Sequence, residues 1–355
     1  MEFDIYKLLR PNIQNLSPYS SARDEFYGDE GIFLDANENP FPSDFNRYPD
    51  PFQRKLKEAL APVKGVRPSE IILGNGSDEI LDLIFRSFCI PGKDSVVTIK
   101  PSYGMYRVLA DLNDLNLIEV ALNTEFQIDA SSVLKAAEEA KLIILCSPNN
   151  PTGNELDRNE IHKILQNFNG IVVIDEAYSD FSDISSAIEL LDDYPNLIIS
   201  QTLSKAYGLA GIRIGIGISS EEIIRVLNTV KPPYNVNAGS QRVALERLKN
   251  TETVHKEIIQ IKMERSRLFT YLQTNENIIK VYPTEANFIL FKVNDANIWY
   301  KYLVEKGIVI RNRTNNFGCT NCLRITVGTN EENNRFMEIV DEMKNNPVFQ
   351  NSIAK

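Results

Sequence analysis

Two histidines and four cysteines are all that 355 residues carry of the usual metal-binding and redox side chains. The cysteines (Cys89, Cys146, Cys319 and Cys322) are too few and too scattered for a disulfide framework. Cys319-Thr320-Asn321-Cys322 has the spacing of a redox pair or of half a zinc site, but no second pair completes a metal site. His162 and His255 lie far from it and form no ligand motif, so no metal is expected, and the pair reads as two cysteines in a polar loop. Positive charge is also short. Lys and Arg number 38 against 48 Asp and Glu, a net charge of −10 that argues against nucleic acid or an anionic membrane as partner. No apolar run approaches the roughly 18 residues of a spanning helix. Met1–Lys7 lacks the basic start and apolar core of a signal peptide, which leaves a cytoplasmic protein as the expectation. No fixed-period repeat or low-complexity segment is present.

What is there is an ordinary globular composition, 43% hydrophobic and 24% charged. The length exceeds what one compact core usually takes, so two unequal domains are expected. Residues 1–34 read as an arm with a short helix ended by Arg10-Pro11. Asp35-Ala36-Asn37-Glu38-Asn39-Pro40 and Arg47-Tyr48-Pro49-Asp50-Pro51 read as loops, because a residue before proline avoids the helical region. Helical stretches (52–61, 78–88, 103–111, 131–140 and 157–166) then alternate with short β-branched runs at 71–73, 96–99, 142–145, 171–174, 197–199 and 212–214. Such runs suit strands buried on both faces of a largely parallel sheet, in an α/β architecture. The large domain is expected over 35–245. A smaller α+β domain is expected over 246–355, with strands near Val281, Phe288–Phe291, Ile308–Ile310 and Leu323–Val327 and the boundary inside a long helix from about Ser240 to Leu272.

In open parallel sheets ligands bind beyond the carboxyl ends of the strands, so the residues that follow each run matter most. After 71–73 comes Gly74-Asn75-Gly76-Ser77-Asp78-Glu79. This is a glycine turn into a helix that could hold a phosphate on backbone N–H groups, although a capped helix after a turn fits equally. Neither nucleotide fingerprint is met. Tyr103 after the second run could cover a planar ligand or be a core tyrosine. Asn149-Asn150-Pro151-Thr152-Gly153 forms a turn with amide donors. Asp175, with Tyr178 behind it, closes a buried run, where a carboxylate is costly unless paired; a protonated ring nitrogen, a metal, a helix cap or a salt bridge would each do. Finally Thr202-Leu203-Ser204-Lys205 presents one lysine with no other charge within seven residues, followed by three glycines and Arg213. A reactive amine beside an anion site fits those residues, as does a lysine reaching solvent.

Taken in order, Asn150, Asp175, Tyr178, Lys205 and Arg213 resemble the fold-type I pyridoxal-phosphate enzymes of the aspartate-aminotransferase superfamily. Leu16-Ser17-Pro18-Tyr19-Ser20-Ser21-Ala22-Arg23, Asp35–Pro40, Arg47–Pro51, Gly74–Glu79, Thr202–Arg213 and Cys322-Leu323-Arg324-Ile325-Thr326-Val327-Gly328 narrow the resemblance to the histidinol-phosphate aminotransferases, over essentially the whole chain.

The resemblance implies pyridoxal 5′-phosphate held as a Schiff base on Lys205, which also moves the substrate proton. It implies Asp175 against the ring nitrogen, Tyr178 and Asn150 donating to the ring oxygen, and Tyr103 stacked on the ring. Gly76, Ser77, Asp78, Thr202, Ser204 and Arg213 would surround the phosphate, joined by Tyr48 from the neighbouring subunit of a homodimer with shared sites. Tyr19, Asn37, Arg311 and Arg324 would bind histidinol phosphate and glutamate or 2-oxoglutarate, although a surface salt bridge would also account for either arginine. The loop 315–321 is this chain's own. Alternatives within the superfamily are an aromatic amino-acid aminotransferase and a threonine-phosphate decarboxylase-like lyase. A cofactor-binding regulator would carry a DNA-binding segment, and none precedes Asp35.

Overall fold

The structure is a computed structural model that describes residues 4–17, 31–343 and 349. Seven strands form the larger sheet: β1 (Ile71–Asn75), β2 (Ser95–Lys100), β3 (Asn116–Ala121), β4 (Ala140–Cys146), β5 (Ile171–Asp175), β6 (Leu197–Thr202) and β7 (Ile214–Ser219). Their order is β1-β7-β6-β5-β4-β2-β3. Strands β2 to β6 pair in parallel, while β7 runs antiparallel to both β6 and β1. The aliphatic runs build this sheet because alternate residues serve opposite cores. Val97, Ile143, Leu145, Val172, Ile174 and Ile199 pack into one apolar cluster, and Val96, Leu142, Ile144, Ile171, Val173 and Ile198 into the other. Helices cover both sides, which is the three-layer α/β arrangement expected from the sequence.

A second, fully antiparallel sheet has the order β10-β11-β9-β8, from β8 (Lys280–Val281), β9 (Phe288–Lys292), β10 (Arg311–Asn312) and β11 (Cys322–Thr326). Its two faces divide by the same alternation. Ile289, Phe291, Leu323 and Ile325 pack with Trp299, Phe336 and Leu268 in a core of their own. Phe288, Leu290 and Cys322 turn the other way and join the cluster that contains Tyr178 and Ile174. The small sheet is therefore pressed against the end of the large one, beside the carboxyl edge of β5.

Several sequence expectations need correction. Pro11 starts a helix (Pro11–Gln14) rather than ending one, because proline suits the first helical position, where its missing N–H has no partner to lose. The stretch 240–272 is two helices, Ala238–Leu248 and Thr251–Thr274. Asn250 between them leaves helical backbone (φ −123°, ψ 52°), and its side chain accepts from Thr253. Ile308–Ile310 is not a strand; the pairing starts at Arg311. The edge strand β3 escaped notice because its residues alternate with Asn116 and Glu119 instead of forming an apolar run. Cys319 and Cys322 are buried, not in a solvated loop.

Residues 212–214 are not a strand either. Ala210–Ile212 is a single 3₁₀ turn, Arg213 takes a left-handed conformation (φ 55°), and β7 begins only at Ile214. Because β7 is antiparallel, its first residues lie at the edge where β4, β5 and β6 finish. The reversal carries Arg213 to that edge.

Close backbone approach fixes the junction between β7 and the turn after β1. A Cβ on Gly215 would sit 2.1 Å from the carbonyl carbon of Gly76 and 2.3 Å from Ser77 N. Gly215→Ala is expected to lower stability by more than about 2 kcal/mol, since backbone cannot yield as a side-chain tip can. Gly104→Ala, where a Cβ meets nothing within 4 Å, is the control. Urea midpoints for the pair test this, and equal midpoints would show that the 76–77 turn moves aside.

Candidate active site

Five strand ends (β1, β2, β4, β5 and β6) and the turn before β7 converge on a single cleft of about 520 Å³, counted out to its open mouth. Asp175 closes β5 and is 2% exposed. One carboxylate oxygen accepts from the Tyr106 hydroxyl at 2.7 Å and the other from the backbone N–H of Ala177 at 3.3 Å. Burial pushes its pKa up to about 6, and those two donors hold the rise in check. No cation stands within salt-bridge distance of it among the described residues.

Lys205 lies three residues past the end of β6, in a turn that Thr202 shapes. The Thr202 hydroxyl donates to Ile214 O (3.1 Å) and accepts from Ser204 N (3.1 Å). The lysine amine is 5.6 Å from the centre of the Tyr178 ring. Desolvation lowers its pKa and the positive charges of Arg324 and Arg213 lower it further; Asp175 and Asp78 work in the opposite direction. An amine in this setting is more readily deprotonated than an exposed lysine.

At one end of the cleft, the helix Ser77–Phe88 opens behind Gly76, whose φ is +78°. Gly76 donates to Arg213 O at 3.0 Å, and a Cβ there would lie 2.6 Å from an Arg213 guanidinium nitrogen. Glycine is thus required at this position. Free N–H groups at the helix start, the Arg213 guanidinium and a buried Ser204 hydroxyl without a partner among the described residues together make an anion cradle. Arg213 also faces Asp78 at 3.7 Å, and Asp78 accepts from the Tyr103 hydroxyl at 3.1 Å. On the far side Asn150 donates to the Tyr178 hydroxyl at 3.4 Å and accepts from Arg324, whose guanidinium lies over the Phe288 ring.

Residues 36–340 match the aminotransferase class I and II family. The chain belongs to that family. Curated relatives include the histidinol-phosphate aminotransferases of Christiangramia forsetii, 53% identical over 97% of this chain and 99% of that one, and of Parabacteroides distasonis, 55% identical over 96% and 99%. Among solved structures, the histidinol-phosphate aminotransferase of Clostridium acetobutylicum superposes with a TM-score of 0.79 at 26% identity, over 85% of this chain and 92% of that one.

Of the twelve residues that sequence reasoning assigned to a cofactor, the aminotransferase brings ten to this cleft: Ser77, Asp78, Tyr103, Asn150, Asp175, Tyr178, Thr202, Ser204, Lys205 and Arg213. Gly76 stands directly behind Arg213. Tyr48 is elsewhere: with Asn37 it lines a separate cleft, where its ring stacks on Tyr234 at 4.6 Å. Both lie on residues 31–53, which carry no helix or strand. Tyr19 falls outside the described residues. Arg324 touches the cleft through Asn150, and Arg311, directly opposite it in the β10–β11 register, is exposed.

Two contributors were not assigned a role from the sequence, although Asn149 stands in the turn that was. Tyr106 is fully buried and holds Asp175, yet on a helix it looks like any core aromatic. Asn149 locks the turn that presents Asn150, donating to Pro101 O (2.9 Å) and the Thr152 hydroxyl (2.7 Å) and accepting from Ser102 (3.0 Å).

The raised pKa of Asp175 has a measurable consequence. The folded state binds this proton more tightly than the unfolded chain, so its contribution favours folding below about pH 4 and is lost as pH rises to about 6. Cofactor-free wild type is expected to lose up to about 3 kcal/mol across that window relative to Asp175→Asn. Denaturant titrations from pH 4 to 7 check it; parallel profiles for the two proteins would contradict the assigned environment.

Proposed function

We propose that this aminotransferase exchanges the amino group of L-histidinol phosphate with 2-oxoglutarate in a ping-pong cycle, giving imidazole-acetol phosphate and L-glutamate, a step of L-histidine biosynthesis. Among the site's features, the placement of Lys205 between a buried carboxylate and an anion cradle supports this reading most strongly. Relatives above 50% identity over nearly the whole chain carry that enzyme's name.

Pyridoxal 5′-phosphate fits the donor set. A phosphate would answer the helix start, Ser204 and Arg213; a protonated ring nitrogen would give buried Asp175 a cation within salt-bridge distance, which no described residue supplies; a ring oxygen would take the amide and hydroxyl of Asn150 and Tyr178. When bound, the cofactor supplies an aldehyde for amine exchange and a ring that accepts the electron pair left on the substrate carbon.

The chain's own residues do the rest. Lys205 would hold the cofactor through that aldehyde, and its Nζ would carry the proton taken from the substrate α-carbon. Its lowered pKa suits it to accept that proton. Asp175 keeps its charge against the ring nitrogen, held in place by the Tyr106 hydroxyl. Tyr103 covers the ring. Arg324 sits where it can bind the acidic group of either substrate, and Asn150 fixes it there. Tyr48, set apart in this chain, would act across a homodimer interface and reach the partner's phosphate, and Asn37 would line the substrate end.

Lys205→Ala is expected to abolish turnover, by at least about 1,000-fold, and to remove the lysine that borohydride fixes to the cofactor. Mass analysis of the reduced peptide checks this, and a modified lysine elsewhere would refute the assignment. On specificity, kcat/KM for histidinol phosphate is expected to exceed that for phenylalanine with 2-oxoglutarate as common acceptor. The reverse order would make the chain an aromatic aminotransferase.

A further inference from the structure

Arginines in this chain usually sit beside a carboxylate: Arg47 with Glu38, Arg54 with Asp50, Arg158 with Glu189, Arg267 with Glu264. Three on the small sheet do not. Among the described residues no acidic side chain lies within salt-bridge distance of Arg311, Arg313 or Arg324.

The ladder puts these three on one face. Arg311 is directly opposite Arg324 and Asn312 opposite Leu323. Arg313 N then donates to Cys322 O at 2.8 Å, which extends the register by one residue and sets Arg313 opposite Cys322. Residues facing each other across an antiparallel pair, and residues two apart along a strand, share a face. Leu323 and Ile325 point into the small sheet's own core, whereas Cys322 packs in the cluster with Tyr178 and Phe288. The three arginines therefore project toward the large sheet, on the side of Tyr178 and Asn150.

Arg313 and Arg324 each hold a buried Nε without an acceptor among the described residues. Arg313 and Arg324 are only partly exposed, while Arg311 reaches solvent. Burial and the neighbouring guanidiniums depress the pKa of both inner arginines, and the Tyr178 phenol, close enough to sense them, pulls the other way. Like charges gathered without a counter-ion are costly in a site with little water. A ligand anion relieves that cost, and a dianion does so more fully than a monoanion.

We infer that Arg313 is a specificity-determining residue, the third guanidinium of a pocket built for the dianionic phosphomonoester of the amino donor. This rests on the histidinol-phosphate reading and adds to it a division of labour. Arg324, anchored on Asn150, serves both substrates; Arg313 contributes chiefly when the substrate carries two negative charges; Arg311, exposed and screened, tops the pocket. The sequence hid this, since Arg313 stands in a loop-like stretch between a predicted strand and an unusual segment.

The test compares holoenzymes of wild type, Arg313→Gln and Arg313→Lys in both half-reactions. For Arg313→Gln, kcat/KM for histidinol phosphate is expected to fall roughly 10- to 100-fold, mostly through KM, the scale of one lost hydrogen bond to a charged group. The value for glutamate should change by less than about 3-fold. Arg313→Lys should recover part of the loss, since it restores the charge but not the two-pronged donor. An equal fall for both substrates would mark a structural role and overturn the inference, as would no fall for either. Wild type that does not turn over histidinol phosphate overturns the proposed function and this inference together. Active wild type with an unchanged ratio in Arg313→Gln overturns this inference alone.

Discussion

A carboxylate taken out of water at the end of a central strand is the constraint on which the rest of this site depends. Asp175 is held by one hydroxyl and one backbone N–H, both neutral donors, and among the described residues no cation lies within salt-bridge distance of it. Hydrogen bonds of that kind offset only part of the desolvation. What surrounds it makes sense as preparation for a cationic ring: a lysine kept partly desolvated, an anion cradle at one end, and an amide and a phenol at the other. Lys205 feels opposing charges from both sides, arginines against it and aspartates for it. Its proton affinity is lowered first by desolvation and then tuned by that balance, so a change at either end of the cleft reaches the amine.

The sheet topology is what allows these groups to meet. Parallel strands deliver Asp175 and Thr202 to one edge, but an arginine just before a further parallel strand would lie at the opposite edge. Running β7 backwards brings its first residue to the same edge, and the left-handed Arg213 then turns toward Gly76. Glycines at 76 and 215 permit the contact, because a Cβ at either would strike the other partner's atoms. The small sheet completes the arrangement from outside, placing Phe288 and Arg324 over Tyr178 and Asn150.

Much of this was legible in the chain. Unbroken aliphatic runs marked the buried strands, and residues just past them supplied nine of the ten assigned side chains that line the cleft, all but Arg213, because sheet geometry ties position in sequence to position at the site. The illegible parts share a cause: they depend on contacts between distant segments. Tyr106 has the look of core packing until β5 is laid beside its helix. The antiparallel turn of β7 left no mark, since Ile212-Arg213-Ile214 alternates like a strand while Arg213 is in fact a turn residue. Arg313 became visible only through the register of a two-residue strand. Tyr48 and Asn37 were picked out by motif, yet they line a different cleft of the same chain.

The proposed role of Asp175, holding a positive charge on the cofactor ring, is read out by the ¹⁵N resonance of ring-labelled pyridoxal phosphate in the holoenzyme. A ring nitrogen protonated from pH 6 to 9, with that protonation lost in Asp175→Asn, is the expected result. An unprotonated nitrogen in the wild-type enzyme at neutral pH would contradict it.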